Sequence, residues 1–195
     1  MKKFRLSVMI VITLTFGFIL KSNAQKHSGG LYLTSGDYIQ HKLSYTTDPA
    51  NPNGNKINTH DFLEGKIVTV LSNGQTQDFE KSKIFGYRDN ANNDYRFFDN
   101  KAYKIVDTNE FCIYSYDKLV QQGKGPKLTM VYYFSKKTSD EILALTPENV
   151  VKAFPNNTKF RYMVEVAYKS DIKLDAYDDL SHEYKIKELY AESLK

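Results

Sequence analysis

Tryptophan is absent from this chain, cysteine occurs once, and neither charge sign dominates once the first two dozen residues are set aside. The single cysteine, Cys112, excludes a disulfide within the chain, and with it the disulfide-stapled class of small exported domains. It lies in Phe111-Cys112-Ile113-Tyr114, an apolar strand-like run in which a free thiol packs as a small hydrophobe. Lack of tryptophan weakens a carbohydrate-stacking reading and leaves 15 tyrosines and 12 phenylalanines as the aromatic complement. Tyrosine suits half-buried sheet faces, where the ring packs and the hydroxyl reaches water.

Motifs of chemistry are equally sparse. There is no Gly-x-Ser-x-Gly, and no neighbour of Cys112 in sequence points to an activated thiol. Metal-ligand spacings of the His-x-x-x-His or Cys/His kind do not occur. Asp37 and His41, four apart, share a face of an expected helical turn, and His182 stands near Asp178 and Asp179. Two ligands of this kind do not make a metal site, and a solvated ion pair accounts for them. Gly123-Lys124-Gly125-Pro126-Lys127 lacks the strand–loop–helix frame of a phosphate-binding loop and reads as a hairpin connection. Asn156-Asn157-Thr158 is a glycosylation sequon only in a eukaryotic secretory route. No catalytic, cofactor-binding or metal-ligating residue is assigned from the sequence, and no cofactor is expected.

The segment of residues 1–24 addresses the protein. Lys2, Lys3 and Arg5 precede the uncharged run Val8 to Leu20, and Ser22 and Ala24 stand at −3 and −1 of a cut before Gln25. This is the layout of a cleaved signal peptide, and the run is shorter than the roughly 20 residues of a membrane-spanning helix. No cysteine follows it, so the expected product is not a lipoprotein and has no transmembrane anchor. Four of the 27 basic residues lie in this segment, so 23 remain against 23 acidic ones. A neutral mature chain removes the electrostatic argument for nucleic acid as a partner. The expectation is a soluble periplasmic or extracellular protein, residues 25–195, forming one α+β domain.

Its β-rich part is expected over 60–135. Asn73-Gly74 between residues 66–72 and 75–80 is the preferred pair for a type I′ hairpin. Further runs at 84–88, 95–98, 102–106, 111–116 and 128–134, separated by turn residues, bring the meander to about seven strands, flat or curled into a partial barrel. Leu31-Tyr32-Leu33 enters as an extended segment, and Thr34 or Ser35 caps a short turn over residues 37–41. Residues 46–58 read as the longest loop and 119–127 as a flexible connection.

Over 142–194 the period becomes helical. Thr146-Pro147-Glu148 is a helix start ended by Pro155, and Asn157 or Thr158 caps a second helix with a stripe of Phe160, Met163, Val164, Ala167 and Tyr168. Asp171 opens a third, with Leu174, Tyr177, Leu180, Tyr184 and Leu189 at three- and four-residue steps. Three one-sided helices must bury their stripes, most simply on the meander, so a charge at Leu180 is expected to destabilise sheet and helices together. Residues 101–137 carry seven lysines against Asp107, Glu110 and Asp117, interleaved with tyrosines. That surface suits an anionic polysaccharide or head group, or guards an edge strand against aggregation.

Gly30-Leu31-Tyr32-Leu33-Thr34, Ile84-Phe85-Gly86-Tyr87-Arg88-Asp89, Asp94-Tyr95-Arg96-Phe97-Phe98 and Lys152-Ala153-Phe154-Pro155-Asn156 resemble segments of small secreted proteins of Bacteroidota that have no assigned function. The resemblance spans most of residues 25–195 and includes the Asn23-Ala24-Gln25 signal end. It implies a bacterial envelope and carries no active site. The reading is then a non-catalytic binding or interaction module, partnered by an envelope protein or a glycan. A periplasmic or secreted hydrolase and an accessory subunit docking on another envelope protein are the alternatives. Mass spectrometry of the protein from its native host should find a mature N-terminus at Gln25, and an intact Met1 in the cytosol would refute export.

Overall fold

Gly30–Tyr32 forms β1, buried along its length, and Thr34 then caps α1 (Ser35–Ile39). The Thr34 hydroxyl accepts from the Asp37 amide at 3.0 Å, and the Asp37 carboxylate accepts from the Thr34 amide at 3.0 Å, a reciprocal capping box. The computed structural model describes residues 27–51, 53–61, 65–123 and 125–195; the signal peptide expected over residues 1–24 lies outside them. β2 (Lys56–Asn58) comes at the end of the expected 46–58 loop and pairs with β3 (Ile67–Ser72). Asn73 and Gly74, at φ 52° and 76°, make the expected tight turn into β4 (Gln75–Glu80). A 3-10 turn at Lys81–Lys83 leads to β5 (Gly86–Arg88), β6 (Asp94–Phe98) and β7 (Lys101–Asp107). The long pair β8 (Cys112–Gln122) and β9 (Gly125–Ser135) and the short β10 (Leu143–Ala144) follow.

These strands form an antiparallel seven-stranded sheet, β1-β5-β6-β7-β8-β9-β10, and a separate three-stranded sheet, β2-β3-β4. The α+β class and the count of seven are as expected, the sheet is an open one, and its membership differs from the expected meander. The Asn-Gly hairpin leaves the meander because Val68 and Val70 bury themselves against Leu31, Ile84 and Phe97 of the larger sheet. β1 and β10 take the two edges instead. Residues 119–127 are not a flexible connection: strand pairing runs from Cys112–Ser135 to Gln122–Gly125 without a break. Gly86 is required at its position, since a β-carbon there would lie 1.9 Å from the Tyr95 carbonyl oxygen.

The register lays one row across the sheet face. Leu31 stands opposite Tyr87, Tyr87 opposite Tyr95, Tyr95 opposite Lys104, Lys104 opposite Ser115 and Ser115 opposite Tyr132. Directly opposed residues point to the same side, so these six share one face. The small sheet covers the Leu31 end of the row. Helices cover the other end: α2 (Pro147–Ala153), α3 (Thr158–Lys169) and α4 (Lys185–Ser193) close Val150, Phe160, Val164 and Ile186 over Ile113 and Phe134. The cap expected at Thr146 is made, its hydroxyl accepting from the Asn149 amide, and of Asn157 and Thr158 it is Asn157 that caps α3, its side-chain Oδ1 accepting from the Phe160 amide.

The third expected helix starts fourteen residues late. Asp171 takes φ 56° and terminates α3: its amide donates to the Tyr168 carbonyl at 3.1 Å and the Ile172 amide to the Ala167 carbonyl at 2.9 Å. These are the paired bonds of a Schellman motif, so Asp171 ends one helix instead of opening another. Residues 177–184 form a hairpin, β11 (Tyr177–Asp178) and β12 (Glu183–Tyr184). Leu180 sits in its connection, 93 % exposed, its amide held by the Asp178 carboxylate at 2.7 Å. The helical spacing of Leu174, Tyr177, Leu180 and Tyr184 is therefore coincidental beyond Leu174 and Tyr184, which do pack on the core. Leu180→Asp should leave stability unchanged within about 0.5 kcal/mol. Phe160→Ala should remove about 3–5 kcal/mol. Urea unfolding followed by circular dichroism and tyrosine fluorescence checks both.

Candidate functional site

Between its two covers the row of face residues stays open. Tyr87 and Tyr95 stack there with ring centroids 4.7 Å apart and planes within 6°, as opposed side chains on neighbouring strands can. Lys104 and Ser115 continue the floor, and Asp61, Asn100, Lys101, Asp117 and Met130 form the walls of a groove of about 460 Å³. That size is within the range of small-ligand sites. The bulge in the β7–β8 pairing, between Ile105 and Asp107, adds twist beyond Lys104.

Each polar group has a definable state. The Asp61 carboxylate accepts from Lys81 Nζ at 2.7 Å, from the Tyr87 hydroxyl at 3.2 Å and from the Thr59 hydroxyl at 2.6 Å. Burial and the nearby Asp89 carboxylate push the Tyr95 hydroxyl up to about 12, and burial beside Asp61 raises Tyr87 further. Both phenols are thus neutral donors at any biological pH. Lys104, half-buried on the floor, makes no ion pair with a described residue. A half-buried, unpaired ammonium beside stacked phenols attracts an anionic group while the rings and Met130 offer apolar contact.

The histidine pairs considered in the sequence do not converge. Asp37 is occupied with Thr34, while His41, at φ 53° beyond α1, lies edge-on to Tyr38 with centroids 6.4 Å apart. His182 belongs to the β11–β12 connection, not to a helix, and Asp178 caps that turn. His60 Nε2 lies 3.1 Å from the Thr69 hydroxyl, which donates to Asp78 at 2.8 Å. Because the threonine proton goes to Asp78, His60 must donate to it and does not act as its base. Among the described residues no three histidine, cysteine or acidic side chains cluster as a metal site would need.

Sequence reasoning missed the groove because its residues are spread from Asp61 to Met130 and meet only through strand register. The lysine–tyrosine interleaving of 101–137 was the one visible trace, and it divides on folding. Tyr114 and Tyr133 turn to the opposite sheet face with Cys112 and Tyr103, whereas Lys104 and Tyr132 share the groove's face. The lysines on the hairpin tip accompany an exposed apolar set, Leu119, Leu128 and Met130. Leu119 and Leu128 are directly opposed, and Asp117 opposes Met130 on the same side.

No protein-family model, curated protein or solved structure matches the chain.

Cys112 lies on the face away from the groove, 3 % exposed, and burial pushes its thiol up despite the Tyr114 and Ser135 hydroxyls beside it. A thiol reagent should therefore label it slowly in the native protein and at once in denaturant. Rapid native labelling would show a reactive thiol.

Proposed function

We propose that the protein is an exported, soluble, non-catalytic binding module of the bacterial envelope, and that the groove takes an acidic glycan. The signal-like residues 1–24 and the resemblance to secreted Bacteroidota proteins support export. The observation that carries the binding reading is Lys104, an ammonium with no ion pair among the described residues, on a floor of stacked tyrosines between two covering layers. A uronic-acid carboxylate matches the ammonium, and sugar faces and hydroxyls match Tyr87, Tyr95, Ser115 and Asn100. A glycoside hydrolase of the common kind uses two carboxyl groups facing each other across the substrate. Asp61 and Asp117 are the acids of this groove, and Asp61 is already tied to a lysine, a tyrosine and a threonine.

The second reading, docking on an acidic envelope protein, is favoured by the arm that β8 and β9 make from Lys118 to Lys127, where they pair only with each other. Leu119 and its cross-strand partner Leu128 are exposed at the base of the arm, next in sequence to Lys118 and Lys127. Titration of tyrosine fluorescence with polygalacturonate and with neutral dextran separates the readings. Polygalacturonate should bind and dextran should not, and Lys104→Glu should weaken binding at least tenfold. Release of reducing ends would favour the hydrolase. Loss of polygalacturonate binding on Leu128→Asp with no effect of Lys104→Glu would move the site to the arm.

A further inference from the structure

Three cations are buried among the described residues: Lys81, Arg96 and Lys187. An ammonium or guanidinium removed from water needs a counter-charge or a full set of acceptors. Lys81 has Asp61 at 2.7 Å, the Asn100 carbonyl at 3.2 Å and the Phe97 ring beneath it. Lys187 has Asp107 at 3.4 Å, Glu110 at 3.9 Å and the carbonyls of Asn109 and Phe111. Arg96, 6 % exposed, has no carboxylate partner among the described residues. Its Nη1 donates to the Tyr114 hydroxyl at 3.1 Å and reaches Ser135 Oγ at 3.5 Å, and its Nη2 donates to the Asp140 carbonyl at 2.5 Å. Phe85, Phe98 and Tyr114 surround it, each ring centroid just under 6 Å away.

A guanidinium has five N–H bonds. Those on Nε and one on Nη2 have no acceptor among the described residues. The same edge of Arg88 grips Asp94 through Nε at 2.7 Å and Nη2 at 2.9 Å, two parallel bonds to one carboxylate. Arg96 also lines a cleft of about 520 Å³ at the end of β6; it shares Asn100 with the groove, but Arg96 enters it from the sheet face opposite the Lys104 row. Phe85, Phe97 and Phe98 give the cleft an apolar wall, and Ser35, Ser82, Thr138 and Ser139 add polar side chains. Lys81 and Lys83 also line it, but each already has an acid, Asp61 and Glu80. Asp99, exposed, is the acid among the lining residues.

We infer that this cleft is a second binding site, distinct from the groove in its charged group, for a small carboxylic acid with an apolar tail. The carboxylate pairs with the Nε/Nη2 edge of Arg96 and the tail lies on Phe85 and Phe98. The ligand supplies the counter-charge that Asp61 and Asp107 supply to the two buried lysines. A carboxylate is favoured over a phosphate because one guanidinium edge satisfies its two oxygens, and no further unpaired cation faces the cleft to hold a dianion.

The test uses octanoate, octanol and octyl phosphate as probes on the whole protein, read by nuclear magnetic resonance with labelled phenylalanine and arginine side chains. Octanoate should shift Phe85, Phe98 and the Arg96 Nε signal and bind at least tenfold more tightly than octanol. Octyl phosphate should bind no more tightly than octanoate. Arg96→Lys keeps the charge without the paired donors and should weaken octanoate at least tenfold. Ser139→Glu, an exposed change on the rim that does not depend on the buried network for folding, should do the same by placing a competing carboxylate near Arg96. Equal affinity for octanoate and octanol, tighter binding of octyl phosphate, shifts confined to other residues, or octanoate affinity untouched by Ser139→Glu would each overturn the assignment.

Discussion

One sheet face with an apolar patch at each end, each patch closed by its own cover, sets the form of this molecule. The face is wider than either covering layer. The β2–β4 sheet buries Leu31 and Phe97 at one end, and the helical layer buries Ile113 and Phe134 at the other. Apolar burial of this kind is the largest favourable contribution to folding and has no directional preference. It therefore determines that both ends are covered and leaves the middle to polar and half-buried side chains. The groove is the interval between two independently satisfied cores, and its floor is whatever the strand register places there.

Each cover is also fastened by a buried ammonium. Lys81, just after β4, holds the small sheet to Asn100 and Asp61, and Lys187 of α4 reaches across to the loop at Asn109 and Phe111. Such links confer geometry more than stability, since desolvating the ion offsets much of the Coulomb gain. Burial lowers the Lys187 pKa while Asp107 opposes that shift. Removing either lysine's acid would leave a charge in an apolar setting, which is the arrangement Arg96 has already. Its neutral acceptors and three aromatic rings make that tolerable without neutralising it.

Local rules read well wherever the physics is local. The Asn73-Gly74 turn, a cap at Thr34 and the helix starts at Thr146 and Asn157 depend on a few neighbouring residues; the turn and caps form where the sequence offers them, though α1 begins two residues before the expected 37–41. Periodicity failed at residues 171–184 because spacing records where apolar residues fall and not which backbone carries them. Asp171 in the left-handed region and Asp178 bonding the turn amides decided for a hairpin. Residues 119–127 failed for a related reason: glycine and proline marked a break, but cross-strand pairing extended both strands through it.

By itself the sequence determined the α+β class, the hairpin at 73–74, the helix starts at 146 and 157 and the fate of Cys112 as a packed side chain. Each of these follows from short-range sterics, hydrogen bonding or the hydrophobicity of a contiguous run. Only the tertiary structure decided that the Asn-Gly hairpin leaves the main sheet, that Tyr87, Tyr95, Lys104 and Ser115 stand in one row, and that among the described residues Arg96 is buried without the acid that Lys81 and Lys187 have. Register, layer packing and counter-charge are relations between residues far apart in the chain, brought together by burial that no single stretch of sequence encodes.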